Sequence, residues 1–227
     1  MSDNLIVENN DWRDQFIKVE KKNKTSVLSI SNIMKNSIPN FKDKDYKKVL
    51  DIGCGRGRNS FFYADHDFEV SALDTSKGLI DLLNNKIERL EIGNINTFVG
   101  DFKELPFENE FFDAIVCTST LHHAKYSEIQ QGVNEIRRVL KTGGCIILDL
   151  LSKEDDSYGC GEKVDENTYI GSRKNEEGII HYYADLSDIK ELFQEFNQVK
   201  IYKNNYKVNI FDDQEVETKL FDIIAYK

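Results

Sequence analysis

Val49-Leu50-Asp51-Ile52-Gly53-Cys54-Gly55-Arg56-Gly57-Arg58-Asn59-Ser60 is the stretch that decides how this chain folds. An apolar run ends in a carboxylate, three glycines follow at every second position, and a polar segment opens a helix. A doubly wound sheet presents its first ligand-binding loop in this order. Glycine suits the loop because a side chain would hold the backbone away from a ligand, and because tight turns often need positive φ. The spacing departs from the dinucleotide fingerprint G-x-G-x-x-G. The third glycine, Gly57, comes one residue early, and Arg58 stands at the fingerprint position.

Working outward, the loop sits between strand 1 (48–52) and a helix over 59–65. Strand 2 is expected at 68–73, ending at Asp74, with Thr75-Ser76 offering an N-cap to a helix that carries Leu79, Leu82, Leu83, Ile87 and Leu90 on one face. Strand 3 falls near 95–99, strand 4 at 112–117 and strand 5 at 145–151. A helix over 127–140 precedes strand 5 and is stopped by Lys141-Thr142-Gly143-Gly144. Strands alternating with helices imply a parallel sheet covered on both faces. Upstream, residues 1–10 read as frayed, 12–22 as a mixed pattern, and 26–38 as a helix with Val27, Ile30, Ile33, Met34 and Ile38 on one face. That stripe fits either packing against the sheet or a lid over the ligand. Residues 152–184, rich in Gly, Glu, Asp and Tyr, interrupt the rhythm just after strand 5, at the edge where open α/β sheets bind ligands. A helix over 186–196 and two strand-like runs, 198–210 and 219–226, close the chain as an antiparallel pair. The expected organisation is one domain over 1–227, with a helical lid (1–47), a ligand-binding core (48–151), a substrate-loop insert (152–184), and a C-terminal helix and hairpin (185–227).

Three carboxylates sit near the ends of three successive strands: Asp51, Asp74 and Asp101. Asp74 lies at about the distance from the glycine loop at which an acid meets a ribose. A carboxylate can accept from both vicinal hydroxyls. Asp101, followed by Phe102, can accept from an adenine amino group while the ring supplies an apolar wall.

On these residues the chain resembles the class I S-adenosylmethionine (SAM) dependent methyltransferases, of the kind acting on small molecules. Val49–Ser60 is similar to motif I, Ala72–Ser76 to the acidic end of strand 2, and Val99–Phe107 to the adenine motif. Phe112–Ala124 is similar to the strand-4 motif, and Leu140–Asp149 to the strand-5 motif. The resemblance implies an α/β fold with a Rossmann-like, doubly wound seven-stranded sheet. That sheet is parallel with an antiparallel C-terminal hairpin, and it carries an N-terminal helical extension. It also implies SAM as cofactor and S-adenosylhomocysteine as product. The residues it places on the cofactor are Asp51, Gly53, Cys54, Gly55, Gly57, Asn59, Asp74, Thr75, Asp101, Phe102, Cys117 and Thr118. Gly53, Gly55 and Gly57 would line the methionine part, with backbone groups of Cys117 and Thr118. Arg56 and Arg58 make the loop more basic than usual and have no account at this level.

A general base is needed only when the acceptor is protonated at working pH. His122 and His123, after strand 4, are the candidates, since histidine titrates near neutrality. Trp12, Tyr158, His181 and Tyr182 are substrate-wall candidates, chosen by position and by the pull of aromatic faces on cationic amines.

The 227 residues suit one domain with a full core. The net charge of −10 argues against a generic nucleic-acid binder. No apolar run approaches the roughly 18 residues of a membrane span, and no signal-peptide pattern stands at the start. The four cysteines (Cys54, Cys117, Cys145, Cys160) lack metal-type spacing, so no metal site is expected. The reading is cytoplasmic, monomeric or homodimeric, with a small-molecule acceptor as partner and neither nucleic acid nor membrane. Two alternatives share the cofactor site: a non-catalytic SAM-binding regulatory protein, and a methyltransferase acting on protein or RNA. No Asn-Pro-Pro-Tyr type motif follows strand 4, which disfavours amino-methylation of a base. A nucleotide-dependent oxidoreductase conflicts with the misplaced third glycine.

Overall fold

The structure is a computed structural model, and it describes residues 5–8, 30–173, 176, 178–210 and 214–227. The chain runs β1 (Leu5–Glu8), α1 (Asn32–Asp43), β2 (Lys48–Ile52), α2 (Arg58–Ala64), β3 (Glu69–Asp74), α3 (Lys77–Arg89), β4 (Ile95–Val99) and β5 (Phe112–Cys117). It continues through α4 (Tyr126–Val139), β6 (Leu140–Ser152), β7 (Glu162–Asp165), β8 (Thr168–Ile170), β9 (Ile180–Ala184), α5 (Leu186–Leu192), β10 (Gln198–Ile210) and β11 (Gln214–Tyr226).

The main sheet has the order β1-β10-β11-β6-β5-β2-β3-β4. Strands β2 to β6 pair in parallel, while β11 lies antiparallel to both β6 and β10. This is a Rossmann-like α/β sheet whose strand order reverses between β2 and β5. Open sheets bind ligands beyond the carboxyl ends of the strands flanking such a reversal.

Both faces of the sheet are covered, so its central strands are apolar on both sides. Leu50, Ile52, Ile115, Ile146 and Leu148 point to one face and pack with Ile129, Val133 and Ile136 of α4 and Ile189 of α5. Val49, Ala114, Val116, Cys145 and Ile147 point to the other, against Met34, Ile38 and Phe41 of α1, Tyr63 of α2, and Ile80 and Leu83 of α3. The period-2 alternation of a strand delivers successive residues to opposite layers.

Four expectations change. Leu5–Glu8, read as frayed, pairs in parallel with β10 from Leu5↔Val199 to Glu8↔Tyr202. The helix expected over 26–38 starts at Asn32 and runs through Pro39 to Asp43. Its buried Met34, Ile38 and Phe41 sit in the core under the sheet, which is packing rather than a lid. Trp12 and the pattern over 12–22 lie outside the described residues. The third change is in β6, which begins directly after α4. The Lys141–Gly144 turn becomes an irregularity within it, shifting the register against β5 between Leu140 and Cys145. Finally, the 152–184 insert is an annexe sheet: β7 pairs with β8, β8 with β9, and β9 joins β6 at Leu151↔Tyr183 and Ser152↔Ala184. Among the described residues no helix is long and apolar enough to cross a membrane.

Candidate active site

The glycine loop turns back on β3. The Leu73 carbonyl accepts from the N–H groups of both Gly53 (2.8 Å) and Cys54 (3.0 Å). Gly53 has φ +68°, and a Cβ there would lie 2.1 Å from Thr120 Oγ1. No other residue fits, on conformation or on space. Gly55 has φ +53°, with nothing within 4 Å of where its Cβ would stand, so its backbone faces open space. A ligand can approach the chain there.

Asp74, at the end of β3, is held in place by the loop it faces. Gly55 N–H donates to its Oδ2 (2.9 Å) and Ser76 N–H to its Oδ1 (2.8 Å). Each oxygen keeps a lone pair for a ligand hydroxyl. Past the end of β4, Asp101 Oδ1 accepts from Lys103 N–H (2.9 Å), and Lys103 Nζ bridges to Glu128 (2.8 Å) on α4. Phe102 lies flush on α4: a Cβ at Gly132 would come within 2.3 Å of its Cδ2. That glycine lets the ring settle as a wall.

These residues enclose one cavity of about 350 Å³, lined among others by Gly53, Asp74, Thr75, Asp101, Phe102 and His123. The size falls at the low end of small-molecule sites. A second cavity of about 280 Å³ lies by β9 and α5. Its Lys153 is already paired to Asp185 and Asp188, so it offers no free charge to a ligand.

The remaining expected cofactor residues surround this cavity without lining it. Asp51 is buried beneath the loop, where its Oδ2 accepts from Ser60 Oγ (2.5 Å) and its Oδ1 has no hydrogen-bond partner among the described residues. Burial pushes its carboxyl up to about 6, against the pull of Ser60, Arg58 and Asn59. Asn59 Nδ2 (3.0 Å) and Arg58 Nη2 (3.1 Å) both donate to Thr118 Oγ1, which ties α2 to the end of β5. Arg58 thus acquires an account: it lends positive charge to the buried Asp51 and Asp149, lowering the carboxyls of both. Cys54 and Cys117 are buried, and burial raises both thiols. Gly57 caps the start of α2.

The histidines separate. His122 is 6% exposed, and its Nδ1 lies 3.7 Å from Asp149 Oδ1 with no hydrogen-bond partner among the described residues. Burial holds its pKa well below the usual 6.5. His123 lines the cavity. His181 on β9 is fully buried and completes a cluster, its ring centroid 4.8 Å from that of His123 and 6.2 Å from that of His122. Tyr182, next along β9, turns to the opposite side and packs in the main core against Tyr126. Tyr158 packs against Tyr169 and Tyr183. Neither tyrosine lines the cavity: alternation along β9 sends Tyr182 into the main core, and Tyr158 belongs to a small cluster with Tyr169 and Tyr183. Among the described residues no group of His, Cys, Asp or Glu has the geometry to hold a metal ion.

Sequence reasoning missed a second set of polar groups. Asp149 on β6 and Asp222 on β11 are paired across the antiparallel ladder, and both are buried. Ser119 N–H donates to Asp149 Oδ1 (2.7 Å), and Tyr206 OH (2.7 Å) and Asn204 Nδ2 donate to Asp222 Oδ2. Burial, with mutual repulsion at Asp149, pushes the carboxyls up to about 7 and about 6. An aspartate inside an otherwise apolar strand (Cys-Ile-Ile-Leu-Asp-Leu-Leu) was the one available signal.

Residues 49–144 match the family described as a methyltransferase domain. The uncharacterized methyltransferase YcgJ of Bacillus subtilis (strain 168) is 30% identical over 109 residues, 48% of this chain and 42% of that protein. A ubiquinone biosynthesis O-methyltransferase of Coxiella burnetii is 31% identical over 112 residues, 49% of this chain and 47% of that protein. The matches to these curated relatives span less than half of their length. Among solved structures, a SAM-dependent methyltransferase from Methanosarcina mazei superposes with a TM-score of 0.70 at 19% identity, covering 88% of this chain and 99% of that one. At that identity the likeness speaks for the fold.

Proposed function

Because this chain belongs to the class I SAM-dependent methyltransferases, we propose that it transfers the methyl group of SAM to a small-molecule acceptor at the cavity beside the glycine loop. The observation that carries the reading is the convergence of Gly53, Asp74 and the adjacent Asp101 and Phe102 on that one cavity from three successive strand ends. Asp74 would accept from the ribose hydroxyls. Asp101 and Phe102 would read and flank the adenine. The open backbone at Gly55 would let the methionine end approach. Asp51 Oδ1, buried without a partner, is the acceptor an ammonium group would need nearby, directly or through a water. The residues present therefore fit the cofactor.

When bound, the cofactor supplies an electrophilic methyl on a positively charged sulfur. The protein's share is then largely to hold the acceptor in line and exclude water, which can be worth about 7–11 kcal/mol. A small acceptor is supported by the cavity's size, by the chain's negative charge and by the similarity to the ubiquinone biosynthesis O-methyltransferase of Coxiella burnetii. Three buried free thiols and one exposed one suit a reducing, cytoplasmic setting.

The test is calorimetric titration with S-adenosylhomocysteine beside NADH. S-adenosylhomocysteine should bind and NADH should not. Asp74→Ala should weaken the first by about 10²-fold, the value of two charge-assisted hydrogen bonds. Binding of NADH in its place would overturn the reading. Methyl turnover with any acceptor would exclude the non-catalytic alternative.

A further inference from the structure

The annexe sheet does more than cover the core edge. Tyr182 N–H donates to the His122 carbonyl (2.7 Å), which fixes β9 against the loop that follows β5. His123 is the member of that loop's histidine pair that reaches the cavity. Its Nδ1 is 3.3 Å from the Ile180 carbonyl oxygen. A carbonyl only accepts, so Nδ1 carries the proton and Nε2 is left as the basic nitrogen. Behind it stands His181, fully buried and edge-on to the His123 ring. His181 Nε2 lies 2.6 Å from Glu176 Oε2, an ion-pair contact without hydrogen-bond geometry, and its Nδ1 lies 3.4 Å from Ser172 Oγ, which in turn accepts from Tyr183 OH (2.8 Å).

We propose, building on the methyl transfer argued above, that His123 Nε2 is the base that takes the acceptor's proton, and that His181 and Glu176 position it. The acceptor is then a protic nucleophile, one whose reacting O–H, S–H or N–H must be lost. The X–H bond breaks and its proton passes to Nε2. The electron pair left on X forms the X–CH₃ bond as the S–CH₃ bond breaks, its electrons staying on sulfur as a neutral thioether. The imidazolium afterwards releases its proton to solvent.

The charge environment agrees with this role. His123 is faced by His122 on its own loop, His181 on β9, Arg173 and Glu176 between β8 and β9, and Asp74, Asp101, Lys103 and Glu128 around the cavity. Burial and then His181 hold its pKa below 6.5, and Glu176 works in the opposite direction. His123 is therefore neutral, and able to accept, at pH 7.

The first test is ¹⁵N imidazole NMR on the protein alone. The expected signature is an Nδ1–H tautomer for His123 with a midpoint below 6.5, and a still lower midpoint in Glu176→Gln. An Nε2–H tautomer would overturn the proposal. The second uses His123→Asn, whose amide can keep the hydrogen bond to Ile180 but cannot act as a base. With labelled SAM and a panel of phenol, catechol, thiophenol and imidazole, this variant should keep S-adenosylhomocysteine affinity while losing roughly 10²–10⁴-fold in kcat/KM. The acid limb of the wild-type pH profile should shift down in Glu176→Gln, which a purely structural residue would not cause. Unchanged turnover in His123→Asn, or no turnover by the wild type with any of these probes, overturns the proposal. Failure of S-adenosylhomocysteine to bind the wild type would instead sink the methyltransferase reading itself.

Discussion

The two halves of the carboxyl edge are built on different physics. On the β2–β3–β4 side, polar groups are satisfied by nearby backbone: Asp74 by Gly55 and Ser76, Asp101 by Lys103. The position of each group follows from where a strand stops. On the β6–β11–β10 side, Asp149, Asp222 and His122 are buried against one another, and their partners Ser119, Asn204 and Tyr206 come from remote segments. The first half is a mould held by short contacts to backbone N–H groups. The second is a reservoir of buried charge, costly to maintain, of the kind functional sites retain.

Breaking the mould should cost most. Gly53→Ala forces a Cβ into Thr120 in a left-handed backbone. A penalty of about 2–4 kcal/mol is expected, or about 30–1,000-fold in S-adenosylhomocysteine Kd by calorimetry. Adding Thr120→Ala should recover part of the loss, because Oγ1 and Cγ2 are the atoms struck. Full affinity in the single variant would mean that the loop is not a mould. Gly132→Ala, which pushes Phe102 off its seat, should cost about 1–3 kcal/mol in stability, read by denaturant melts with the ligand present and absent. An equal loss with and without the ligand would separate Phe102 from binding.

The charge reservoir predicts a gain. Asp149 and Asp222 titrate higher in the folded chain than a free aspartate does. Their stabilising contribution is therefore present at low pH and is lost as pH rises through about 6 to 7. Asp222→Asn removes one of these charges while leaving an oxygen for Tyr206 and Asn204. It should raise Tm by about 2–6 °C at pH 8 and by much less at pH 5. Equal effects at both pH values would show that the pair is not repulsive. The smallest change is Tyr206→Phe, which removes one donor from Asp222 and should lower stability at pH 8 by about 1 kcal/mol. A loss above about 3 kcal/mol would point to a larger network than the one described.

The same division governs what could be read in advance. The glycine loop, Asp74, Asp101 and Phe102 are legible because each lies within a few residues of a strand end, and strand ends are marked by local apolar runs and turn residues. The pairing of β1 with β10 was not legible, since a four-residue strand at an edge carries no pattern apart from its partner. The annexe escaped notice for a similar reason. β7, β8 and β9 are three to five residues each, and their alternation is hidden among Gly, Glu and Asp. Tyr182 looked like a pocket aromatic because nothing local records which side of a strand faces the core.

By itself, the sequence determined the layering of strands and helices, the glycine loop with its strand-end carboxylates, and through these the resemblance on which the cofactor is proposed. All of that depends on short-range spacing and on side-chain period. Tertiary structure alone decided which histidine reaches the cavity, that His181 and Glu176 stand behind it, and that Asp149 faces Asp222 across β6 and β11. The His123–His181 and Asp149–Asp222 contacts join residues 58 and 73 positions apart, and such pairings are set by sheet order and register, which no local pattern encodes.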